Sequence, residues 1–282
     1  MPRTPTDHHQ PTPRKSSSAV KTTAPPHSLC DDVITALRTL GVAIPREVLD
    51  AALTAAEKES LGHLAFLHRL LADPAAARRQ RAIERRIRQA KFREVTSLDG
   101  FDWEFNAKGV DRVRVEQLVS CDFVRRRENA ILVGQSGLGK SRIIQAMGRA
   151  ACVLGHRVRY TTSAGLLGEF TAALADGTFS EVLSEYCRMD LLIIDEFGFD
   201  RLEREAEGRA STFYYRLLDA RTGKRSTALV TNIDFRGWSE YLGDAPLAMA
   251  FLDRLVDGAI ILELTGKSYR AHRAAQRRRQ NG

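Results

Sequence analysis

The chain has 282 residues, 43% of them apolar and 28% charged, with 43 Lys plus Arg against 35 Asp plus Glu and a net charge of +8. Such a composition excludes wholesale disorder and leaves core material for one large domain or a large and a small one. No run approaches the 18 or more apolar residues of a membrane-spanning helix, and the first residues lack the apolar stretch of a secretory leader, so a cytoplasmic setting without membrane contact is expected.

Residues 1–28 hold six of the nine prolines and a Ser run at 16–18, which predicts a disordered basic tail. A small helical N-terminal domain is expected over 29–98. Its helices run from Leu29 to about Leu40, stopped by Gly41, then from Pro45, then from Ser60 through Leu61, Leu64, Leu67 and Leu71. Asp73 and Pro74 predict a fourth helix to about Phe92, a stretch containing Arg78, Arg79, Arg81, Arg85, Arg86, Arg88, Lys91 and Arg93 and only a narrow apolar strip of Ile83, Ile87 and Ala90. Over 99–266 the rhythm changes to short apolar runs at 130–133, 158–161, 191–195, 228–231 and 259–262, separated by helical stretches. That alternation predicts an α/β fold with a parallel sheet flanked by helices. Residues 267–282 read as a basic C-terminal tail.

The charge is unevenly placed. Segments 1–28, 74–93 and 267–282 carry +3, +7 and +6, which leaves −8 for the rest of the chain. Basic appendages on an acidic body point to a polyanion, and the expected mode is sequence-independent contact of Arg78, Arg79, Arg85, Arg86 and Arg88 with nucleic-acid phosphates. Cys30, Cys121, Cys152 and Cys187 are far apart and form no CxxC pair, so they read as reduced thiols. The seven histidines form no metal spacing.

The sharpest signal is Gly134-Gln135-Ser136-Gly137-Leu138-Gly139-Lys140-Ser141, which fits G-x-x-x-x-G-K-[ST] directly after a predicted strand and at the start of a helix. Glycines there let backbone N–H groups curl around phosphate oxygens, and the helix N-terminus adds positive potential. Lys140 would reach the β and γ phosphates of ATP, the Ser141 hydroxyl would ligate Mg²⁺, and the next residue, Arg142, is grouped with the nucleotide contacts. Four aliphatics, Leu191 to Ile194, then deliver Asp195 and Glu196 at a strand end, where ligands of open α/β sheets bind. Asp195 would hold the Mg²⁺ and Glu196 would polarise the attacking water. Asn232, ending the strand at 228–231, would bond that water or the γ phosphate, or else cap a turn. Arg254 would stabilise the transition state on a neighbouring subunit, or else form a surface ion pair.

In this order the motifs resemble the AAA+ ATPases, and more narrowly the IstB-like ATP-binding family, helper ATPases of a bacterial insertion-sequence transposition system related to DnaC-type helicase loaders. The residues that carry the likeness are Leu61-Gly-His-Leu-Ala-Phe-Leu67, the Arg-rich helix, Phe101-Asp-Trp-Glu-Phe105, Asp195-Glu-Phe-Gly198 and Gly266-Lys-Ser-Tyr-Arg270, over about residues 29–270. The resemblance implies a P-loop AAA+ core at 99–266 without the usual helical lid. It makes Lys140 and Ser141 the Walker A pair, Asp195 and Glu196 the Walker B pair, Asn232 sensor 1 and Arg254 the arginine finger, with 101–105 beside the adenine. It further implies a head-to-tail homo-oligomer, ring or filament, on target duplex DNA, where it recruits or stimulates a transposase. A helicase loader sharing the same motor, and a binding switch with incidental hydrolysis, are the competing expectations. A small-molecule kinase fits less well, because the basic residues fall mostly outside the core.

Overall fold

The computed structural model describes residues 28–94, 96–199, 209–242 and 244–280. The expected disordered tail, but for its last residue, lies outside the described residues. The chain divides into two compact units at Arg78/Arg79.

The first unit begins with α1 (Leu29–Thr39), capped reciprocally by Ser28 and Asp31: each side chain accepts the other's backbone N–H at 3.3 Å. Helix α2 (Arg46–Lys58) follows Pro45, and α3 (His63–Ala90) completes the set. Ile44, Leu49 and Leu70 form the small buried core, with Leu37, Leu53 and Phe66 packed around them. The break expected at Asp73-Pro74 does not occur, and one helix replaces two. Pro74 forfeits the bond to the Leu70 carbonyl, a cost of about 3 kcal/mol. Leu70 is fixed in the core, however, and Ala75, Ala76 and Ala77 are the strongest helix formers, so α3 runs through.

The second unit is a five-stranded parallel sheet in the order β2-β3-β4-β1-β5. Its strands are β1 (Ala130–Gly134), β2 (Val158–Thr162), β3 (Leu191–Phe197), β4 (Ser226–Thr231) and β5 (Ile260–Leu264), close to the five predicted runs. Alternate residues serve opposite faces. Leu132, Ile193 and Val230 pack with α4 (Arg112–Val119), α5 (Asp122–Arg126) and α6 (Lys140–Val153). Ile131, Ile194 and Leu229 pack beneath α7 (Ser163–Ala175), α8 (Phe179–Cys187), α9 (Arg209–Arg221), α10 (Trp238–Leu242) and α11 (Ala245–Val256). Burial on both faces is why the strands read as unbroken aliphatic runs.

Two departures matter for the site. Residues 269–280, expected as a basic tail, form helix α12 (Tyr269–Gln280). The β3/β4 register pairs Ile194 with Leu229 but Phe197 with Thr231, so β3 carries one extra residue at Asp195-Glu196. Glu196 takes up the bulge with a left-handed φ of 60°. All four cysteines are free.

Candidate functional site: a phosphate-binding cleft

The loop between β1 and α6 turns on Gly137 and Gly139, at φ +88° and +91°. A side chain at Gly139 would also meet the Phe101 ring, and one at Gly137 the Ser268 side chain. Glycine is therefore required at both positions for conformation and for space. Among the described residues, the backbone N–H groups of 136–139 have no acceptor. They are donors left over for a ligand at a helix N-terminus, where anions bind.

Lys140 is buried, and its ammonium folds back to donate to the carbonyls of Gly134 at 2.5 Å and Gln135 at 2.8 Å. Burial pushes its pKa down to about 8, although Asp195 acts to hold it up. Asp195 is 1% exposed, and its carboxylate accepts from the Tyr160 hydroxyl at 2.9 Å and from the Glu196 N–H at 2.8 Å. Burial raises its pKa against the stabilising hydrogen bonds of Ser141 and Tyr160. Ser141 and Asp195 thus face each other at the end of the sheet. A hydroxyl and a carboxylate, with room for water and phosphate oxygens, fit a hard divalent cation such as Mg²⁺.

Lys140, Ser141, Asp195 and Glu196 share one cleft of about 810 Å³. Phe101 and Phe105 line it too. Ser136, Gly137, Leu138, Gly139 and Arg142 also reach it. Arg142, however, spends its guanidinium on the carbonyls of Ser97 at 3.0 Å and Asp99 at 2.5 Å, while stacking over Phe101. It fixes the segment before the aromatic stretch rather than offering a free charge. Gly134 and Gln135 contribute their carbonyls to Lys140, and the Gln135 side chain is exposed.

The cleft does not gather every expected residue. Asn232 is exposed just past β4, beside Gly198, and is absent from the cleft lining. Arg254 lies on α11, ion-paired to Asp219 at 2.9 Å and stacked on the Tyr215 ring, whose hydroxyl accepts from it at 3.1 Å. Along α3, Arg79, Arg85 and Arg88 are exposed and Arg86 is half-buried. Arg78 donates to the Leu40 carbonyl at 3.2 Å, within the first unit.

The cleft also holds residues that sequence reasoning missed. Tyr160 gave no motif signal, though the alternation of β2 puts it on a buried face. Gln145, 3% exposed, sits one helical turn after Ser141, donates to the Ser141 carbonyl and accepts the Glu94 N–H. Arg93, counted among the basic residues of the fourth helix, ion-pairs with Glu196 at 2.6 Å. Arg270 and Arg273 line the cleft because α12 begins against the loop. The Tyr269 N–H donates to the Gly137 carbonyl at 2.9 Å, and Asn106 clamps the Lys267 backbone through two hydrogen bonds. Among the described residues no group of three or more His, Cys, Asp or Glu side chains is placed to hold a metal ion.

In sequence, the IS21 insertion-sequence ATP-binding protein of Pseudomonas aeruginosa is 35% identical over 222 residues, 79% of this chain and 82% of its own length. An insertion-sequence ATP-binding protein of Mycobacterium tuberculosis is 31% identical over 246 residues, 86% of this chain and 96% of that one. In structure, AMPPCP-bound DnaA from Aquifex aeolicus aligns with a TM-score of 0.51 at 19% identity, covering 67% of this chain and 56% of that chain. That likeness is one of fold, a parallel sheet flanked by helices. The family described as IstB-like ATP binding protein matches residues 35–277. A P-loop facing a strand-end aspartate on a five-stranded parallel sheet, in a chain matched over most of its length, makes this protein a member of the IstB-like ATP-binding family.

Proposed function

We propose that the chain is a Mg²⁺-dependent ATPase that assembles head to tail on duplex DNA and serves a transposase as its helper. The observation that carries the enzymatic half is the convergence of Lys140, Ser141, Asp195 and Glu196 in one cleft. ATP phosphates take the free N–H groups of 136–139 and draw the Lys140 ammonium off the Gly134 and Gln135 carbonyls. Ser141 and Asp195 hold the magnesium ion, which when bound neutralises charge on the β and γ phosphates. Glu196 takes a proton from a water as its oxygen attacks the γ phosphorus, and ADP leaves in line. Phe101 and Phe105 flank the base.

Arg254, on α11 and outside the cleft of its own subunit, serves the site of a neighbouring subunit across a head-to-tail interface, and Asn232, just past the strand paired with β3, serves the attacking water or γ phosphate of its own. The exposed arginines of α3 supply phosphate contacts to DNA. The transposase role rests on the insertion-sequence names of the relatives. The Arg93–Glu196 ion pair favours a second reading, an ATP-gated binding switch, because it occupies the carboxylate that hydrolysis needs.

Glu196→Gln decides between them. Measured by phosphate release and by electron microscopy on duplex DNA, it should bind ATP normally, turn over at least about a hundredfold more slowly and persist on DNA. Turnover equal to wild type would remove Glu196 as the base.

A further inference from the structure

We propose that Arg142, Gln145 and Arg149 are positioning residues that fasten the segment leading into Phe101 to the phosphate-loop helix, and so set the nucleoside end of the cleft against its phosphate end. The inference rests on the reading above, in which ATP phosphates seat on the loop and Phe101 flanks the base.

The three side chains form one stripe of α6, at positions i, i+3 and i+7. Each takes a main-chain partner from the same incoming segment. Gln145 accepts the Glu94 N–H at 3.0 Å, Arg149 donates to the Thr96 carbonyl at 2.9 Å, and Arg142 forks onto the carbonyls of Ser97 and Asp99. Among the described residues nothing else donates to those three carbonyls. Beside the stripe, Gly148 admits the Phe92 ring, which a Cβ at that position would meet at 2.7 Å.

The same helix carries both halves of the cleft. Its first turn supplies Lys140 and Ser141, on the phosphate side. Its next two turns hold the segment that delivers Phe101, whose ring lies under the Arg142 guanidinium at 5.7 Å and against the loop at Gly139. Gln145 bridges the two, since its amide also donates to the Ser141 carbonyl at 3.2 Å. A segment outside any helix or strand would have to be ordered when the nucleoside binds, at a cost in affinity. Guanidinium-to-carbonyl bonds meet that cost beforehand, and they are strong because the donor is charged and both arginines are half-buried. Arg149 does not line the cleft, so its effect on a nucleotide must pass through Thr96. The device orders the site for the nucleoside and leaves the phosphate donors of 136–139 as they are.

The test titrates Mg²⁺-ATP and Mg²⁺-tripolyphosphate, which has the phosphates without the nucleoside, into the full-length protein by calorimetry, with ATPase kinetics alongside. In Arg149→Ala the ATP affinity should fall and KM rise about fivefold, the worth of one hydrogen bond, with kcat within about twofold of wild type. Arg142→Ala, which loses two bonds and the stack on Phe101, should lose about tenfold. Tripolyphosphate should bind both variants as it binds wild type. Arg149→Lys should restore ATP affinity, since one carbonyl needs one donor, whereas Arg142→Lys, without the planar fork, should recover only part. ATP affinity in Arg149→Ala equal to wild type would overturn the inference. So would an equal loss of ATP and tripolyphosphate, the mark of a general loosening of the loop. Lys140→Ala tests the underlying reading: it should lose both ligands, and if it keeps both, the phosphate site falls and the inference with it. Loss of both ligands in Lys140→Ala beside an Arg149→Ala that binds like wild type overturns the inference alone.

Discussion

Tyr160 illustrates how a side chain with no motif can control one that has it. Its hydroxyl donates to Asp195 inside the protein, where a carboxylate left without donors is costly, and this fixes the face that Asp195 turns to Ser141. Tyr160→Phe should weaken Mg²⁺-dependent ATP binding about tenfold, read by calorimetry with and without the metal, and should barely alter Mg²⁺-free binding. At this scale the P-loop and the Asp-Glu pair were legible because their chemistry demands particular residues at fixed spacing. Tyr160, Gln145 and Arg93 were not, since each acts through a contact made by the fold: a neighbouring strand, a helical turn, and a chain reversal at Lys91.

At the scale of elements, the strands were readable and the helix ends were not. Leu191 to Ile194 had to be a buried strand because both faces of the sheet are covered, and no polar residue survives there. Pro74 misled because local propensity marked a stop that tertiary burial of Leu70 overrode. The basic composition of 269–280 hid a helix whose first turn is pinned to the P-loop through Tyr269 and Ser268. Strand starts are tied by Asp190, which accepts the Arg157 N–H at 2.9 Å and pairs with the guanidinium groups of Arg157 and Arg225. Burial alone would raise its pKa, but these partners hold it below the ordinary value of 3.8. A depressed folded-state pKa adds stability above the unfolded pKa and loses it as pH falls through the folded one. Asp190→Asn should therefore cost about 1 kcal/mol at pH 7, a value limited by the exposure of Arg157, and in denaturant melts the gap to wild type should close as pH falls below 3.8 and through the folded-state pKa.

For the whole molecule, the division of charge is the feature that sequence alone made visible: basic segments on a body of net −8. Two of those segments reach the cleft. The stretch that ends α3 delivers Arg93 to Glu196, and the C-terminal stretch delivers Arg270 and Arg273 to the cleft. The basic charge along α3 is thus continuous in sequence with basic charge at the edge of the cleft. All of this depends on ATP phosphates seating on the loop at 134–141 against Asp195. The most direct test is calorimetric titration of Mg²⁺-ATP into wild type and Lys140→Ala. Removing the only ammonium in the loop should weaken binding about a hundredfold or abolish it. Equal affinity in the two proteins would mean that the phosphates bind elsewhere.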